Sequence, residues 1–444
     1  MHNWLRENPH IRSLRVAAPD LNAVARGKRM PLDGATKALG GGTRFPFSVL
    51  NLDLWGEDIE NSPLVLESGD RDGVLRPTER GWVEMPWLET PAALLPVWMY
   101  HEDGRPFAGD PRHALNAVLE RYRARRLTPV CAVELEFYLF DANTPTPRPP
   151  LSPTTRKRRD AADILSLDAL DQFDSFFSDL YNACSTMGIP AETALSEGGA
   201  GQFEINLSHG NDALRAADDA WFFKLLVKGL ARKHDMTASF MAKPYSEHAG
   251  SGMHMHFSAL DADGINVFDN GGPEGTDLLR HAIAGCMAAL PASTLVFAPH
   301  ANSYARLVPG EHAPTAVCWG YENRTAALRV PSGSTKARRI EHRVAGGDVN
   351  PYLLLAAVLG AAITGIEDAA LPPAPITGNA YAADLPHIPS DWNTAIDLFE
   401  TNPAITRIFD RDLIRNLVMT KRQEQRRMAS LNAQEQVEFT LDII

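Results

Sequence analysis

Four short stretches carry Glu, His and Arg at every second position, the spacing that places side chains on one face of an extended strand. In Cys131–Phe140, Glu134 and Glu136 alternate with Val133, Leu135, Phe137 and Leu139. In Phe203–Leu207, Glu204 and Asn206 oppose Phe203, Ile205 and Leu207. His254, His256 and Ser258 oppose Met253, Met255 and Phe257, and Arg339, Glu341 and Arg343 line up in the fourth. Each stretch alone is satisfied by a half-exposed strand with a solvated face. Taken together they lack the Lys and Thr that such faces favour. They hold instead the oxygen and imidazole ligands of divalent cations and the guanidinium partners of phosphate. Carboxylates crowded on one face repel unless cations sit between them. The chemistry indicated is the binding of a polyanion by cations and arginines.

The surrounding elements follow from pattern. Gly198-Gly-Ala-Gly201 and Gly250-Ser-Gly252 each precede a polar-faced strand, where glycine permits either close approach of a ligand or a tight turn. GxxxxGK[ST], GxGxxG and HExxH are absent. Residues 111 to 126 have helical spacing at Ala114, Val118 and Tyr122. The apolar run Tyr352–Ile366, opened by Asn350-Pro351, is too short for a membrane span and reads as a buried helix. Residues 1 to about 110 show short β-like runs, including Phe47–Asp53 and Leu64–Glu67, and read as a small, mostly β domain ending near residue 108. A proline-rich stretch, Pro145 to Pro153, followed by Arg156-Lys-Arg-Arg159, reads as an exposed loop with a solvated basic surface.

The chain has 444 residues and a formal net charge of −12, a length that favours two domains. The acidic balance argues against a nucleic-acid or anionic-membrane partner. Four dispersed cysteines form no CxxC pair, and Met1–Pro9 lacks the apolar core of a signal peptide, so a cytoplasmic location is expected.

In order, Glu134-Leu-Glu136, Glu197, Gly201-Gln-Phe-Glu204, Gly250-Ser-Gly-Met-His254, Asn302–Gly310, Asn323–Arg329 and Arg339-Ile-Glu-His-Arg343 resemble the glutamine synthetase superfamily. The resemblance is strong over about residues 111 to 366 and looser before them. It implies an α+β fold: an N-terminal β-grasp domain (1–108) and a catalytic domain (109–444) whose curved antiparallel sheet, a half barrel, is backed by helices. It implies hexameric rings, usually stacked as dodecamers, with sites between neighbours. It implies two cations, Mg²⁺ or Mn²⁺, one on Glu136, Glu197 and Glu204 and the other on Glu134, His254 and Glu341. Arg324, Arg329 and Arg339 would face the ATP phosphates, with His256 and Ser258 near the nucleotide. Arg306, Arg343 and Gly250 would hold the amino-acid substrate.

The resemblance also has departures. Ammonia-using members carry a glutamate immediately before Ala-Pro in the flap; here His312 stands there and Glu311 is one residue early. Ala249 replaces an asparagine before Gly250, and Ser196 stands where histidine is frequent. Asp20–Lys28, Phe297–Tyr304 and Ala313–Gly320 are similar to the γ-glutamylpolyamine synthetase branch. Asp53 either matches the aspartate that reaches a neighbour's amine site or is a turn residue, and Tyr381 lies near a modification site of some relatives. The implied activity is ATP-dependent ligation of glutamate to a polyamine or small primary amine through a γ-glutamyl phosphate. Ammonia-dependent glutamine synthesis and a non-catalytic structural or regulatory role are the alternatives.

Overall fold

The computed structural model describes every residue except Met1, Pro145, Ala162, Glu311, His312 and Asp442. A first sheet joins β1 (Ser13–Pro19), β2 (Ala25–Met30), β3 (Arg44–Pro46), β4 (Asp72–Pro77), β5 (Val83–Glu84) and β6 (Ala92–Tyr100). Their order is β2-β1-β6-β4-β3, with β5 on β6. β1 and β6 run parallel at the centre, flanked antiparallel by β2 and β4, and the short helix Ala35–Leu39 packs beside them as in a β-grasp. β6 is buried along nearly its whole length because two cores share its alternate residues. Leu95, Val97 and Met99 join Val16, Phe45 and Leu75 in a small core; Leu94 and Trp98 join the main core of the molecule.

Two stretches expected to be β-like are helical turns: Phe47–Asn51 forms a 3-10 turn and Pro63–Glu67 a π-type turn. Pro46 precedes the first and Pro63 opens the second, and proline suits a helical start while lacking the N–H that a ladder requires. The turn also brings Phe47 and Leu50, three residues apart, into the same small core, which strand alternation would not do.

The second sheet holds β7 (Thr128–Asp141), β8 (Ala191–Ser196), β9 (Gln202–Leu207), β10 (Met236–Ser239), β11 (Met253–Leu260), β12 (Trp319–Tyr321), β13 (Leu328–Val330) and β14 (Ile340–His342). The order is β12-β13-β14-β11-β7-β9-β8, with β10 on β7. Every pair is antiparallel except β12–β13, and the sheet curls into a half barrel. Val133, Leu135 and Phe137 of β7 bury against helices such as Ala213–Lys233, leaving Glu134 and Glu136 on the opposite, partly open face.

The apolar run is the helix Pro351–Asp368, capped by the Asn350 side chain, which accepts from the Tyr352 and Leu353 N–H groups. By length and composition it could cross a membrane, yet 83% of it is buried inside the fold. It packs closely on the helix Asp277–Ala289: a Cβ on Gly285 would lie 2.1 Å from the Ala361 carbonyl, and one on Gly365 2.1 Å from that of His281. The proline-rich loop is only partly exposed, because Pro149 and Pro150 are buried, with Pro150 beside Gly201. Its basic run is neutralised locally: Arg158 pairs with Asp141, and Arg159 with Asp163 and Asp168.

The helix Arg411–Met428, late in the chain, ties the first sheet's loops to the rest. Lys421 and Glu424 are fully buried and paired at 2.9 Å. Glu424 also accepts from the Asn22 amide at 2.6 Å and the Leu54 N–H at 3.0 Å. Removing one partner strands a buried charge, a loss of about 3–5 kcal/mol. Glu424→Ala should therefore lower the melting temperature markedly, while Lys421→Met combined with Glu424→Met restores most of it; an unchanged melt in Glu424→Ala would show that the pair is not desolvated.

Candidate active site

Antiparallel register, rather than sequence proximity, assembles the polar face. His254 lies opposite Glu134, Glu204 opposite Glu136, Asn206 opposite Glu134, and Glu341 opposite both His256 and Arg329. Directly opposed residues have Cβ atoms about 4.5–5.5 Å apart, so their functional ends meet.

Glu134 is the centre. Its Oε2 is 3.1 Å from His254 Nδ1 and its Oε1 is 2.9 Å from His256 Nε2. Arg339 Nε donates to His256 Nδ1 at 3.1 Å, which places the His256 proton on Nε2, facing Glu134. Donation from His254 Nδ1 to the carboxylate leaves Nε2 with its lone pair, the state of a metal-ligating imidazole oriented by a carboxylate. Glu341 is buried, accepts from Arg329 at 2.8 Å through Oε2 and from Arg343 through Oε1. Arg306 is buried, donates to the Val344 carbonyl at 2.7 Å, and lies against Gly250 and Gly252. A Cβ at either glycine would come within 2.7 Å of the Arg306 side chain. At Gly250 the Ala242 carbonyl, 2.6 Å from such a Cβ, closes the space as well.

The carboxylates divide electrostatically. Burial, then the charges of Glu136, Glu134 and Glu197, push Glu204 up to about 9. Burial and then Glu136 push Glu197 up to about 7, against a downward pull from Arg324. Burial also acts upward on Glu134, but its two imidazole hydrogen bonds outweigh it and hold the carboxyl below the usual range. Glu341 is likewise lowered, burial being overcome by Arg343 and then the two histidines.

Ligand atoms of Glu134, Glu204 and His254 lie within 4.8 Å of one another, as do those of Glu134, His256 and Glu341. Hard carboxylate oxygens with imidazole nitrogen fit a divalent cation, and a glutamate held protonated by its neighbours marks a place where a cation can replace the proton. The expected grouping of Glu136, Glu197 and Glu204 is not among these clusters; Glu136 Oε2 instead accepts from the Gly252 N–H at 2.8 Å and from Gln202 at 3.3 Å. Ser258, His256 and Arg339 line a cavity of about 490 Å³. Arg324 is exposed. Asp53 is fully buried within its own chain, its carboxylate accepting from the Trp55 and Glu57 N–H groups, Gln423 and Arg427; this is the geometry of the turn-residue reading. Glu311 and His312 lie outside the described residues.

Sequence reasoning missed Lys336 and His209 in the same cavity wall, and the role of Gln202. Lys336 sits in the short 3-10 turn Thr335–Ala337 and His209 in a loop, neither with a periodic signal. Gln202 was legible, since it precedes Glu204 by two in a strand and so shares its face.

Residues 108–440 match the family described as glutamine synthetase, catalytic domain. The chain is 38% identical over 414 residues to γ-glutamylputrescine synthetase PuuA of Escherichia coli (strain K12), covering 91% of this chain and 86% of that one. It is 33% identical over 431 residues to a glutamine synthetase of Thermus thermophilus, covering 94% and 92%. A solved GmaS/ADP complex superposes with a TM-score of 0.85 at 27% identity, covering 97% of this chain and 96% of that one. The family match and these relatives make the protein a carbon–nitrogen ligase. The chain belongs to the glutamine synthetase family and resembles its γ-glutamylpolyamine synthetase branch.

Between the ordinary carboxylate range near pH 4.3 and about 9, folded cation-free protein keeps a proton on Glu204 that the unfolded chain has lost. Stability falls as pH rises through this window, and a bound cation removes that fall. The rise in melting temperature on adding Mn²⁺ to EDTA-treated protein should grow with pH across the window and grow less in Glu204→Gln. A rise that is equal at every pH in both proteins would remove Glu204 from the ligand set.

Proposed function

We propose that the protein joins the γ-carboxyl of glutamate to a polyamine or small primary amine, with ATP converted to ADP and phosphate. The observation that carries this reading is Glu134 shared between two carboxylate–imidazole clusters, one of which has its other members held by arginines, His256 by Arg339 and Glu341 by Arg329 and Arg343. Such a site neutralises a polyphosphate and a dicarboxylate side by side.

A carboxylate does not react directly with an amine because oxide is an unusable leaving group. A γ-carboxylate oxygen attacks the terminal phosphorus and ADP leaves; the amine nitrogen then attacks the acyl carbon and phosphate leaves, with the amine proton passing to a base. Bound Mg²⁺ or Mn²⁺ would supply charge neutralisation at the phosphates. Glu136, Glu197 and Glu204, and Glu134, His254 and Glu341, are the residues assigned to hold the two ions. Arg324, Arg329 and Arg339 are assigned to the phosphates, His256 and Ser258 to the nucleotide, and Arg306, Arg343 and Gly250 to glutamate. Lys336 joins the nucleotide cavity. His312 in place of the flap glutamate favours an organic amine, since a neutral imidazole lacks the charge that captures ammonium. Cytoplasmic hexameric rings paired as dodecamers complete the proposal, with division of the chain near residue 108 and Glu311 assigned to the amine side.

Phosphate release from ATP and Mg²⁺ with glutamate, compared across putrescine, spermidine, ethylamine, ethanolamine and ammonium, tests the amine. Faster turnover with an organic amine is expected; best turnover with ammonium assigns the missing charge to Glu311 and overturns the flap reading. Glu136→Ala and Glu341→Ala should each abolish turnover, and near-normal activity in either refutes the ligand assignment. Arg343→Ala should raise the glutamate KM by about 10- to 100-fold, the loss of one charge-assisted partner; an unchanged glutamate dependence would place Arg343 elsewhere.

A further inference from the structure

Gln202 opens β9 and is 1% exposed. Its amide nitrogen faces three acceptors: the Gly250 carbonyl at 3.0 Å, Glu136 Oε2 at 3.3 Å and Ser251 Oγ at 3.4 Å. Glu136 Oε2 also receives the Gly252 N–H at 2.8 Å. One oxygen of this carboxylate is thus clamped between a strand residue and the glycine loop 250–252. The loop is pinned from other sides as well. Tyr138 donates to the Ala249 carbonyl at 2.6 Å, and the Ser251 N–H donates to the Ala242 carbonyl at 2.8 Å.

The residue type at 202 is set by its donor end. Its Oε1 is buried with no hydrogen-bond partner, so nothing in the site selects for the acceptor half of the amide. Two N–H groups can serve a carbonyl and a carboxylate together, which neither a hydroxyl nor an apolar chain of this length can do. A carboxylate here would add a further negative group beside Glu136, on a face where Glu136, Glu134 and Glu197 already oppose the ionisation of Glu204.

We propose that Gln202 is a positioning residue that holds Glu136 and the Gly250–Gly252 loop as one unit, so that cation binding and glutamate binding depend on the same buried amide. This rests on the reading of the site as a cation and glutamate centre. The mechanism is geometric: Gln202 and the Gly252 N–H fix Oε2 and thereby the direction of the remaining oxygen, while the same amide fixes the loop against Arg306.

The test uses the full chain with Gln202→Met and Gln202→Glu. Mn²⁺ binding to EDTA-stripped protein is read by electron paramagnetic resonance without substrates, and KM values for glutamate and ATP are read separately. For Gln202→Met, the Mn²⁺ dissociation constant and the glutamate KM should each rise about tenfold, the usual scale for loss of an outer-shell partner, with the ATP KM unchanged. Wild-type Mn²⁺ and glutamate constants overturn the proposal, and so does an equal rise in the ATP KM, which would indicate general loosening. If the Met variant does not fold, Gln202→Glu decides: it keeps size and polarity but loses the donor to Gly250, so its glutamate KM should rise about tenfold, and a wild-type KM overturns the role. If wild-type protein binds Mn²⁺ yet turns over no glutamate, the proposed function fails while the Mn²⁺ comparison still decides Gln202.

Discussion

Glu134, Glu136, Glu197 and Glu204 gather beside one face of a curled sheet, and like charges at that density repel. Much of the surrounding structure answers this repulsion. The face opposite is packed with Val133, Leu135 and Phe137, so β7 cannot turn its glutamates away without exposing the core. Two imidazoles sit within hydrogen-bonding distance of Glu134, and Arg329 and Arg343 hold the neighbouring Glu341. Where no such partner is close, the charge is suppressed instead, as burial and three neighbouring glutamates do at Glu204. The crowding makes the site receptive to cations, since each cation replaces protons and repulsion at once.

Holding that face rigid requires support from distant parts of the chain. The helix Pro351–Asp368 lies in the main core, and its close approach at Gly365 to the helix Asp277–Ala289 leaves no room for sliding. At the join with the first sheet, Arg112 pairs with Asp218 through two contacts of 3.0 Å, and Asp218 also accepts from the Tyr352 hydroxyl at 2.7 Å. Arg80 reaches Asp219 at 3.0 Å. These pairs are buried, so their partners are fixed by the cost of stranding a charge. The Lys421–Glu424 pair fixes the loops around Asn22 and Leu54 by the same rule.

Three glycines around the site are crowded by neighbouring side chains, while Gly201 has the positive φ of a turn. Gly250 and Gly252 give way to Arg306, and Gly199 gives way to Tyr138, whose hydroxyl would lie 1.8 Å from a Cβ there. Tyr138 and Gln202 then hold the loop whose glycines admit the arginine. Arg306 is therefore held in place before any ligand arrives, and a group fixed in advance gains affinity and orientation together.

Strand periodicity alone located the four polar faces and the buried helix, because side-chain direction in a strand and burial in a helix are local consequences of spacing. The ordered motifs carried the family. Periodicity failed at Phe47–Asn51 and Pro63–Glu67, where apolar content looks the same in a helical turn as in a strand and proline tips the balance. It could not show that Glu134 would be shared between two clusters, since that depends on the register of β7 against β11 and of β11 against β14. Nor could it show Asp53 bound by Gln423 and Arg427, residues about 370 positions away. Sequence determined which residues face the same way, a property of each strand by itself; tertiary structure decided which of them touch, because pairing across strands and the folding back of the helix Arg411–Met428 join parts of the chain that no local pattern relates.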